Sequence, residues 1–478
     1  MTGCHETGLE PRDGVPGIGI LDDLFAVSVP TPEHVVAVGY WGAAYVSFDG
    51  GKQWQRGETK TRSLINDVSM ADNERGFAVG QRGLLLRTDD GGLHWETLPN
   101  PKKGLAVHFF SVHALDANRV WIVGEWGTRL YSDDGGETFR DESLVIEPGH
   151  PQFVWLSVDD QERIRGGEDV FEDITLTDVW CLAKTEHCWI TGEFGTVYFS
   201  ERGGIPPVDR PDEPGWQLGE ILADGKPEPV EMGDGVTELS GEQIAALEAY
   251  AATLTEQPHL VIAIQPRLSA SEVASYRPGG DPYPLFELID ARSQSIQFAL
   301  EGAGLLSDRI RQRGVPPWDF EDFIEDDPEI LKRWLEGRQS ESARVDLEIA
   351  QSPYLFSVRF SDPRNGTVAA LGGVVMRSED GGRTWRYTEV GRKAAVFATA
   401  PQSGQRALAF GEKGLARVTT DSGDTWVRPD AGFPKLFTYY RDTGFAGETG
   451  YLVGQAGFVL RTDDAGATWR QVLPPPRS

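Results

Sequence analysis

An eight-residue pattern, Ser/Thr-x-Asp-x-Gly-x-Thr-Trp, recurs along the chain and limits its fold more than any other feature. It reads Ser47-Phe-Asp49-Gly-Gly51-Lys-Gln-Trp54, Thr88-Asp-Asp90-Gly-Gly92-Leu-His-Trp95 and Ser132-Asp-Asp134-Gly-Gly136-Glu-Thr-Phe139. It returns as Ser378-Glu-Asp380-Gly-Gly382-Arg-Thr-Trp385, Thr419-Thr-Asp421-Ser-Gly423-Asp-Thr-Trp426 and Thr462-Asp-Asp464-Ala-Gly466-Ala-Thr-Trp469. A degenerate copy at Ser200-Glu-Arg202-Gly-Gly204 brings the number to seven. Uninterrupted copies lie 41, 44, 41 and 43 residues apart, the length of four short strands with their turns. That is the size of one propeller blade.

Each copy has an upstream half: an alternating apolar run, then Val-Gly-x-x-Gly, then a strand entering the Asp turn. Val38-Gly39-Tyr-Trp-Gly42, Val79-Gly80-Gln-Arg-Gly83, Val123-Gly124-Glu-Trp-Gly127 and Val453-Gly454-Gln-Ala-Gly457 are examples. Glycine tolerates positive φ, so a two-residue hairpin connection is expected here. In the second turn the Asp carboxylate accepts backbone amides, Gly supplies the tight geometry and Trp packs between strands.

The second pattern resembles the Asp-box, or BNR repeat, of sialidase-like propellers. With the Val-Gly-x-x-Gly half added, the repeats resemble those of the photosystem II stability/assembly factor family over roughly 20–140, 174–218 and 352–474. The resemblance implies an all-β, seven-bladed β-propeller in which Asp49, Asp90, Asp134, Asp380, Asp421 and Asp464 are structural turn residues. It implies a non-enzymatic assembly role, with photosystem II as client in photosynthetic members. Non-photosynthetic relatives are associated with RND-type exporters. The photosynthetic members carry an arginine-rich surface, whereas basic residues are scattered here.

Three insertions cluster around the fourth copy. The first, 141–173, has ten acidic residues against Arg163 and Arg165; its Phe153-Val-Trp-Leu-Ser-Val158 run and the charged stretch after it suggest an extra hairpin. The second, Ile205 to Pro214, separates Gly204 from Trp216 inside the degenerate repeat. The third, 219–350, is mainly α-helical in pattern. Ser240-Gly-Glu-Gln243 is a capping-box signature opening a helix that runs to Pro258. Leu285, Ile289, Ile296 and Leu300 mark a second helix with a kink at Gly302 and Gly304, and Asp327-Pro-Glu329 starts a third. The predicted organisation is a tail over 1–17, a propeller over 18–218 and 351–474, the acidic helical insertion at 219–350 between the fourth and fifth blades, and a tail over 475–478.

The formal charge of −29 excludes an electrostatic nucleic-acid or anionic-membrane binder, because both need clustered cationic surface. The charge is local: 141–173 carries −8 and 205–350 carries −17. Alternating strands place the blade-to-blade linkers on the same side as the Val-Gly-x-x-Gly turns, so both linker insertions are expected there. The variable turn residues ring that side: Tyr40 and Trp41, Gln81 and Arg82, Glu125 and Trp126, Glu193 and Phe194, Glu412 and Lys413, Gln455 and Ala456. Large aromatics in turn positions read either as a partner-binding surface or as residues covered by the helical insertion.

No catalytic constellation stands out. The Arg-Ile-Pro motif of sialidases is missing, as are Gly-x-Ser-x-Gly, His-Glu-x-x-His and Walker patterns. Glu125 with Glu193 is the acid pair that an Asp-box glycoside hydrolase or glycan-binding propeller would call on. No metal or cofactor motif is present: Cys181, Cys188 and His187 do not make four zinc ligands. Cys181 and Cys188 read either as a hairpin disulfide in an oxidising compartment or as two buried thiols. Met1-Thr-Gly-Cys4 resembles the end of a bacterial lipobox, which makes Cys4 a candidate lipid-anchored residue, or else part of a polar tail. No apolar run is long enough for a membrane-spanning helix. The combined expectation is a protein-binding scaffold for a membrane-associated complex, in the periplasm or envelope, with an RND-type transporter as a partner class and a cytoplasmic location still open.

Overall fold

A computed structural model describes residues 23–102, 106–147, 158–206, 214–222, 228–255, 260–277, 280–312, 331, 334–351, 354–429, 433 and 439–473. Cys4, the Phe153 run up to Ser157, and the start of the third predicted helix lie outside them. The described residues up to 144, within 171–222 and from 354 onward form one compact unit, and those within 145–170 and 223–353 form another.

The first unit is the propeller. Its blades begin with the inner strands Leu24–Ser28, Ile65–Met70, Phe109–Ala114, Leu176–Cys181, Leu355–Phe360, Val396–Pro401 and Tyr440–Ala446. Each inner strand pairs antiparallel with the next strand in sequence, and so on outward. Each also packs beside the inner strands of the neighbouring blades, and the first meets the last. The seven sheets stay separate, since no backbone ladder joins one inner strand to the next. The fifth blade gains an outer parallel strand, Glu220–Ile221, while the described part of the sixth has three strands and a single bridge from Val418 to Val427.

Large side chains fill the wedges between blades. Between the fourth and fifth, Trp189 stacks on Phe360 with ring centres 3.6 Å apart, and Trp385 closes the same cluster. Truncating such a buried Trp costs about 3–5 kcal/mol. Between the last and first, Tyr451, Val453 and Leu473 pack on Leu24, Tyr45 and Trp54.

The Asp turns fold as their residue types require. In the third blade Asp134 accepts the Ser132 hydroxyl at 2.8 Å, the Thr138 amide at 2.9 Å and the Thr138 hydroxyl at 2.6 Å, while Gly136 donates its amide to Ser132. The indoles of Trp54, Trp95, Trp385 and Trp469 donate to the turn glycine carbonyl of their own repeat. The degenerate turn keeps the Ser200 hydroxyl as acceptor for Arg202 and Gly204. With Arg202 in place of the Asp, it has lost the carboxylate, and the Trp216 indole is buried without a partner among the described residues.

The insertion between the third and fourth blades is anchored at one glycine. Gly127 donates its amide to the Ile174 carbonyl at 2.7 Å and accepts the Leu144 amide at 2.9 Å, and Glu172 bonds back to Leu144 at 3.0 Å. Inside it, the charged stretch is a helix, α1 (Val158–Arg165), where the sequence suggested a strand. Arg163 pairs with Asp160 one turn back, a helical spacing that alternation of charge conceals, and with Glu168 beyond the helix end.

The second unit contains the first two expected helices and a sheet that was not foreseen. Helix α2 (Gly241–Thr255) opens on the expected capping box: Gln243 donates its amide to the Ser240 hydroxyl, and Ser240 donates its amide to the Gln243 side chain. Helix α3 (Ala270–Ser275) has its own box on Ser269 and Glu272. Helix α4 (Tyr283–Gly302) buries Leu285, Ile289, Ile296 and Leu300, and it ends at Gly302 instead of kinking there. These helices accompany the long antiparallel pair Leu260–Ser269 and Arg344–Gln351, flanked by Val230–Glu231, Ile310–Gln312 and Gln339–Ser340. The insertion is therefore a mixed α/β module.

Candidate protein-binding face and central channel

The Val-Gly-x-x-Gly turns are three-residue loops, not the two-residue connections read from sequence. In the first blade Val38 pairs with Ala44, the Gly39 amide bonds the Ala43 carbonyl, and Tyr40–Gly42 form the loop. The first glycine is required by close approach: a Cβ on Gly39 would lie 2.0 Å from the Asp23 carbonyl oxygen, and one on Gly411 would lie 1.9 Å from that of Ala395.

Positive φ falls on the variable residue as well as on the second glycine. Trp41, Arg82, Trp126, Phe194, Lys413 and Ala456 all adopt φ between 54° and 61°. A side chain there costs about 1–2 kcal/mol relative to an ordinary conformation, and bulky residues rarely accept it. Three of the six are large aromatics pointing to solvent: Trp41 is 66% exposed, Trp126 50% and Phe194 51%. Arg82 and Lys413 are exposed beside them, and Tyr40 leans edge-on against Phe25.

The turn glutamates have a job within the fold. Glu125 accepts the His108 amide at 2.7 Å, Glu193 the Thr175 amide at 2.8 Å and Glu412 the Ala395 amide at 3.3 Å. Each ties its turn to the residue just before its own blade's inner strand. Carboxylates engaged this way do not present themselves as an acid pair for glycoside hydrolysis.

Sequence reading missed the central channel. All seven inner strands carry a β-bulge at the same register, one residue after their first. A bulge re-aims a side chain, and here it turns Phe25, Asn66, Phe110, Thr177, Phe356, Phe397 and Arg441 onto the channel wall. They line a cavity of about 440 Å³ that Gln81 and Glu125 also border, so it opens on the side of the Val-Gly-x-x-Gly turns. A second cavity, about 260 Å³, occupies the other half of the channel, with His113 and Trp180 on its wall.

Between the two lies a layer of acids from the next register position. Asp67 accepts the Ser111 hydroxyl at 2.6 Å and the Val112 amide at 2.9 Å. Asp178 accepts the Val358 amide at 2.8 Å and Arg359 at 2.6 Å. Asp442 accepts the Val27 amide at 2.9 Å. Each acid thus holds a backbone amide of the following blade. Arg359 is the only described cation paired with them, at 2.6 Å from Asp178 and 3.5 Å from Asp442. Burial works against its charge, but the surrounding carboxylates outweigh burial and hold it above its usual pKa. Burial, then the neighbouring Asp178 and Asp442, pushes Asp67 up to about 7. Burial and Arg359 drive His113 down to about 3, so it is neutral. The signal that would have found this layer is the run Ile65-Asn-Asp67, Leu176-Thr-Asp178 and Tyr440-Arg-Asp442 at the same place in three blades.

In the fourth blade, Cys181 and Cys188 face each other across the hairpin and form a disulfide. Among the described residues no helix is long and apolar enough to cross a membrane.

Seven antiparallel blades, six carrying the Asp turn, around a bulge-lined channel define a propeller with BNR-type turns, similar to the photosystem II assembly factors. Residues 50–163 match the family model described as Photosynthesis system II assembly factor YCF48. The chain is similar to "Photosystem II assembly lipoprotein Ycf48" of Synechococcus sp. (strain CC9902), 32% identical over 111 residues, 21% of this chain and 31% of that protein. It is also similar to "Photosystem II assembly protein Ycf48" of Thermosynechococcus vestitus, 32% identical over 115 residues, 24% of this chain and 33% of that protein. "Photosystem II stability/assembly factor HCF136, chloroplastic" of Arabidopsis thaliana is 29% identical over 101 residues, 20% and 25% of the two chains. The chain spans a third or less of the length of these curated relatives. Among solved structures, one described as "YCF48 bound to D1 peptide" is 16% identical, covers 85% of this chain and 95% of its own, and has a TM-score of 0.34. The WD40 propeller domain of Doa1 is 8% identical, covers 94% and 95%, and has a TM-score of 0.46.

Proposed function

We propose that the propeller is a non-enzymatic protein-binding scaffold, an assembly or accessory factor for a membrane-associated complex, and that it meets its partner with the Val-Gly-x-x-Gly side. The carrying observation is that Trp41, Trp126 and Phe194 are held exposed in left-handed backbone, where glycine would cost less. Strain kept at a solvent-facing aromatic points to a use in recognition. The names of the curated relatives, all assembly factors, support the same reading.

The partner class is an RND-type exporter or another envelope assembly. The charge of −29 and the acidic insertions suit a basic or helical protein surface better than an acidic one. An oxidising envelope compartment fits the Cys181–Cys188 disulfide, and Cys4 would supply a lipid anchor.

The test is affinity capture from native envelope with the intact chain, the double variant Trp41→Ala/Trp126→Ala, and a chain lacking 219–350. A specific membrane-complex protein retained by the intact chain and lost by the double variant is the expected result. Equal capture by both places the contact elsewhere and overturns the reading.

A further inference from the structure

The Arg441 guanidinium stands in the cavity on the Val-Gly-x-x-Gly side without an acidic partner. It lies over the rings of Phe397, Phe25 and Phe356, 4.7, 5.0 and 5.8 Å from their centres. Among the described residues it makes no hydrogen bond and no ion pair. The other channel arginine, Arg359, spends its charge on Asp178 and Asp442. Burial pulls the Arg441 pKa down, with Asp442 and then Tyr354, Tyr439 and Tyr40 acting against it.

Cation–π contacts use the face of a guanidinium and leave its five N–H donors, all on the edge, unused. These donors face the cavity, so they are open to an incoming acceptor. A planar carboxylate fits that edge with two parallel hydrogen bonds. The rings of Phe25, Phe356 and Phe397 stand around it, with Asn66, Gln81, His108, Glu125 and Tyr354 also on the cavity wall, and a volume of about 440 Å³ suits a small ligand or the last residues of a chain. The acids one position deeper are engaged by backbone amides, Ser111 and Arg359. Asp67, with its pKa near 7, is about half protonated at neutrality, which lowers the negative charge facing an incoming anion.

We propose that this cup binds a carboxylate joined to an apolar group, the carboxylate on the edge of Arg441 and the apolar group against Phe25, Phe356 and Phe397. The carboxylate ends a polypeptide or belongs to a free small acid; in the first case the proposal rests on the binding face described above, because the cup opens on the same side.

Three probes distinguish the sources by calorimetric titration of the full chain: acetyl-Ala-Ala-Phe as free acid, the same peptide as its C-terminal amide, and 3-phenylpropionate. The free-acid peptide is expected to bind about tenfold or more tighter than the amide. Arg441→Gln should reduce the acid to the level of the amide. Arg441→Lys, which keeps the charge but loses the fork, should fall between. A peptide that outcompetes 3-phenylpropionate assigns the carboxylate to a chain terminus, and the reverse order assigns it to a small acid. Equal affinity for acid and amide, no binding of either acid at millimolar concentration, or unchanged acid binding by Arg441→Gln overturns the proposal. If Arg441→Gln melts early, Phe397→Leu tests the apolar wall in the same titration, and unchanged binding there overturns it as well. Acid binding that survives Trp41→Ala/Trp126→Ala separates the cup from the rim, so either can fail alone.

Discussion

The Asp442 carboxylate of the last blade accepts the backbone amide of Val27 in the first, at 2.9 Å. Around it, Asp23 accepts the Tyr439 hydroxyl at 2.6 Å and the Ala456 amide at 2.7 Å, and the Tyr451 hydroxyl donates to the Pro32 carbonyl at 3.1 Å. All four strands of the first blade come from one end of the chain and all four of the last from the other, and among the described residues side chains and packing hold the seam. Asp442→Ala leaves the Val27 amide unpaired and should lower stability by about 1–3 kcal/mol. Urea denaturation should show an earlier midpoint, and limited proteolysis should cut first in the terminal blades.

Asp67 makes stability depend on pH in an unusual direction. Its folded pKa is raised from 3.8 to about 7, so the folded chain keeps a proton that the unfolded chain has released. That contribution is fully present below about pH 4 and is lost as pH rises through about 7. Asp67→Asn should therefore gain on the unmodified chain with rising pH, by on the order of 1–3 kcal/mol between pH 4 and 8. A gap in denaturation free energy that does not change with pH contradicts it.

The Asp turns act in the opposite sense at lower pH. Hydrogen bonds from the Thr138 hydroxyl and amide hold Asp134 down at about 2, and those from Thr425 do the same for Asp421. Backbone and side-chain donors also outweigh burial at Asp49, Asp90, Asp380 and Asp464, all of which are lowered from their ordinary value. A depressed carboxylate contributes stability above its unfolded pKa and loses it as pH falls through the folded one. Acid unfolding followed by tryptophan fluorescence should steepen between about pH 4 and 2, and Asp134→Asn should make that slope shallower.

Trp41 should show a conflict between stability and binding. Trp41→Gly removes a left-handed penalty of about 1–2 kcal/mol while adding up to ~1 kcal/mol of unfolded-chain entropy. The melting temperature should hold or rise, and partner capture should fall. Gly39→Ala, two residues away, should disrupt the blade, because the new Cβ would sit 2.0 Å from the Asp23 carbonyl oxygen. Circular dichroism and capture on the same two preparations check both outcomes.

What the sequence discloses follows from which signals are periodic. The Asp turns and the Val-Gly glycines recur at nearly fixed spacing, so blade number and turn residues could be read directly. The Ser240–Gln243 box was legible because a helix start is written within four residues. The strand Leu260–Ser269 was not, since Pro266 and Arg267 break its apolar run while its partner lies about eighty residues further on. The channel acids escaped for a related reason. Asp178 meets Val358 across 180 positions, and its place two residues after the start of an inner strand carries an Asp in only three of the seven blades. The bulge that frees Arg441 from the strand pairing leaves no motif of its own. Glu125, Glu193 and Glu412 were visible as turn residues, but their bonds to His108, Thr175 and Ala395 depend on how each turn folds back on its own blade.

Gly127 has an evolutionary consequence. Because its amide and carbonyl clasp Ile174 and Leu144, the two stubs of the segment between them are moored a single hydrogen bond from each other. A spliced-in stretch of any length can leave and re-enter at that mooring while the ring on either side keeps its own bonds. The propeller thereby works as a chassis with a fitted port, and a lineage could exchange what is plugged in there without renegotiating how the rest of the molecule folds.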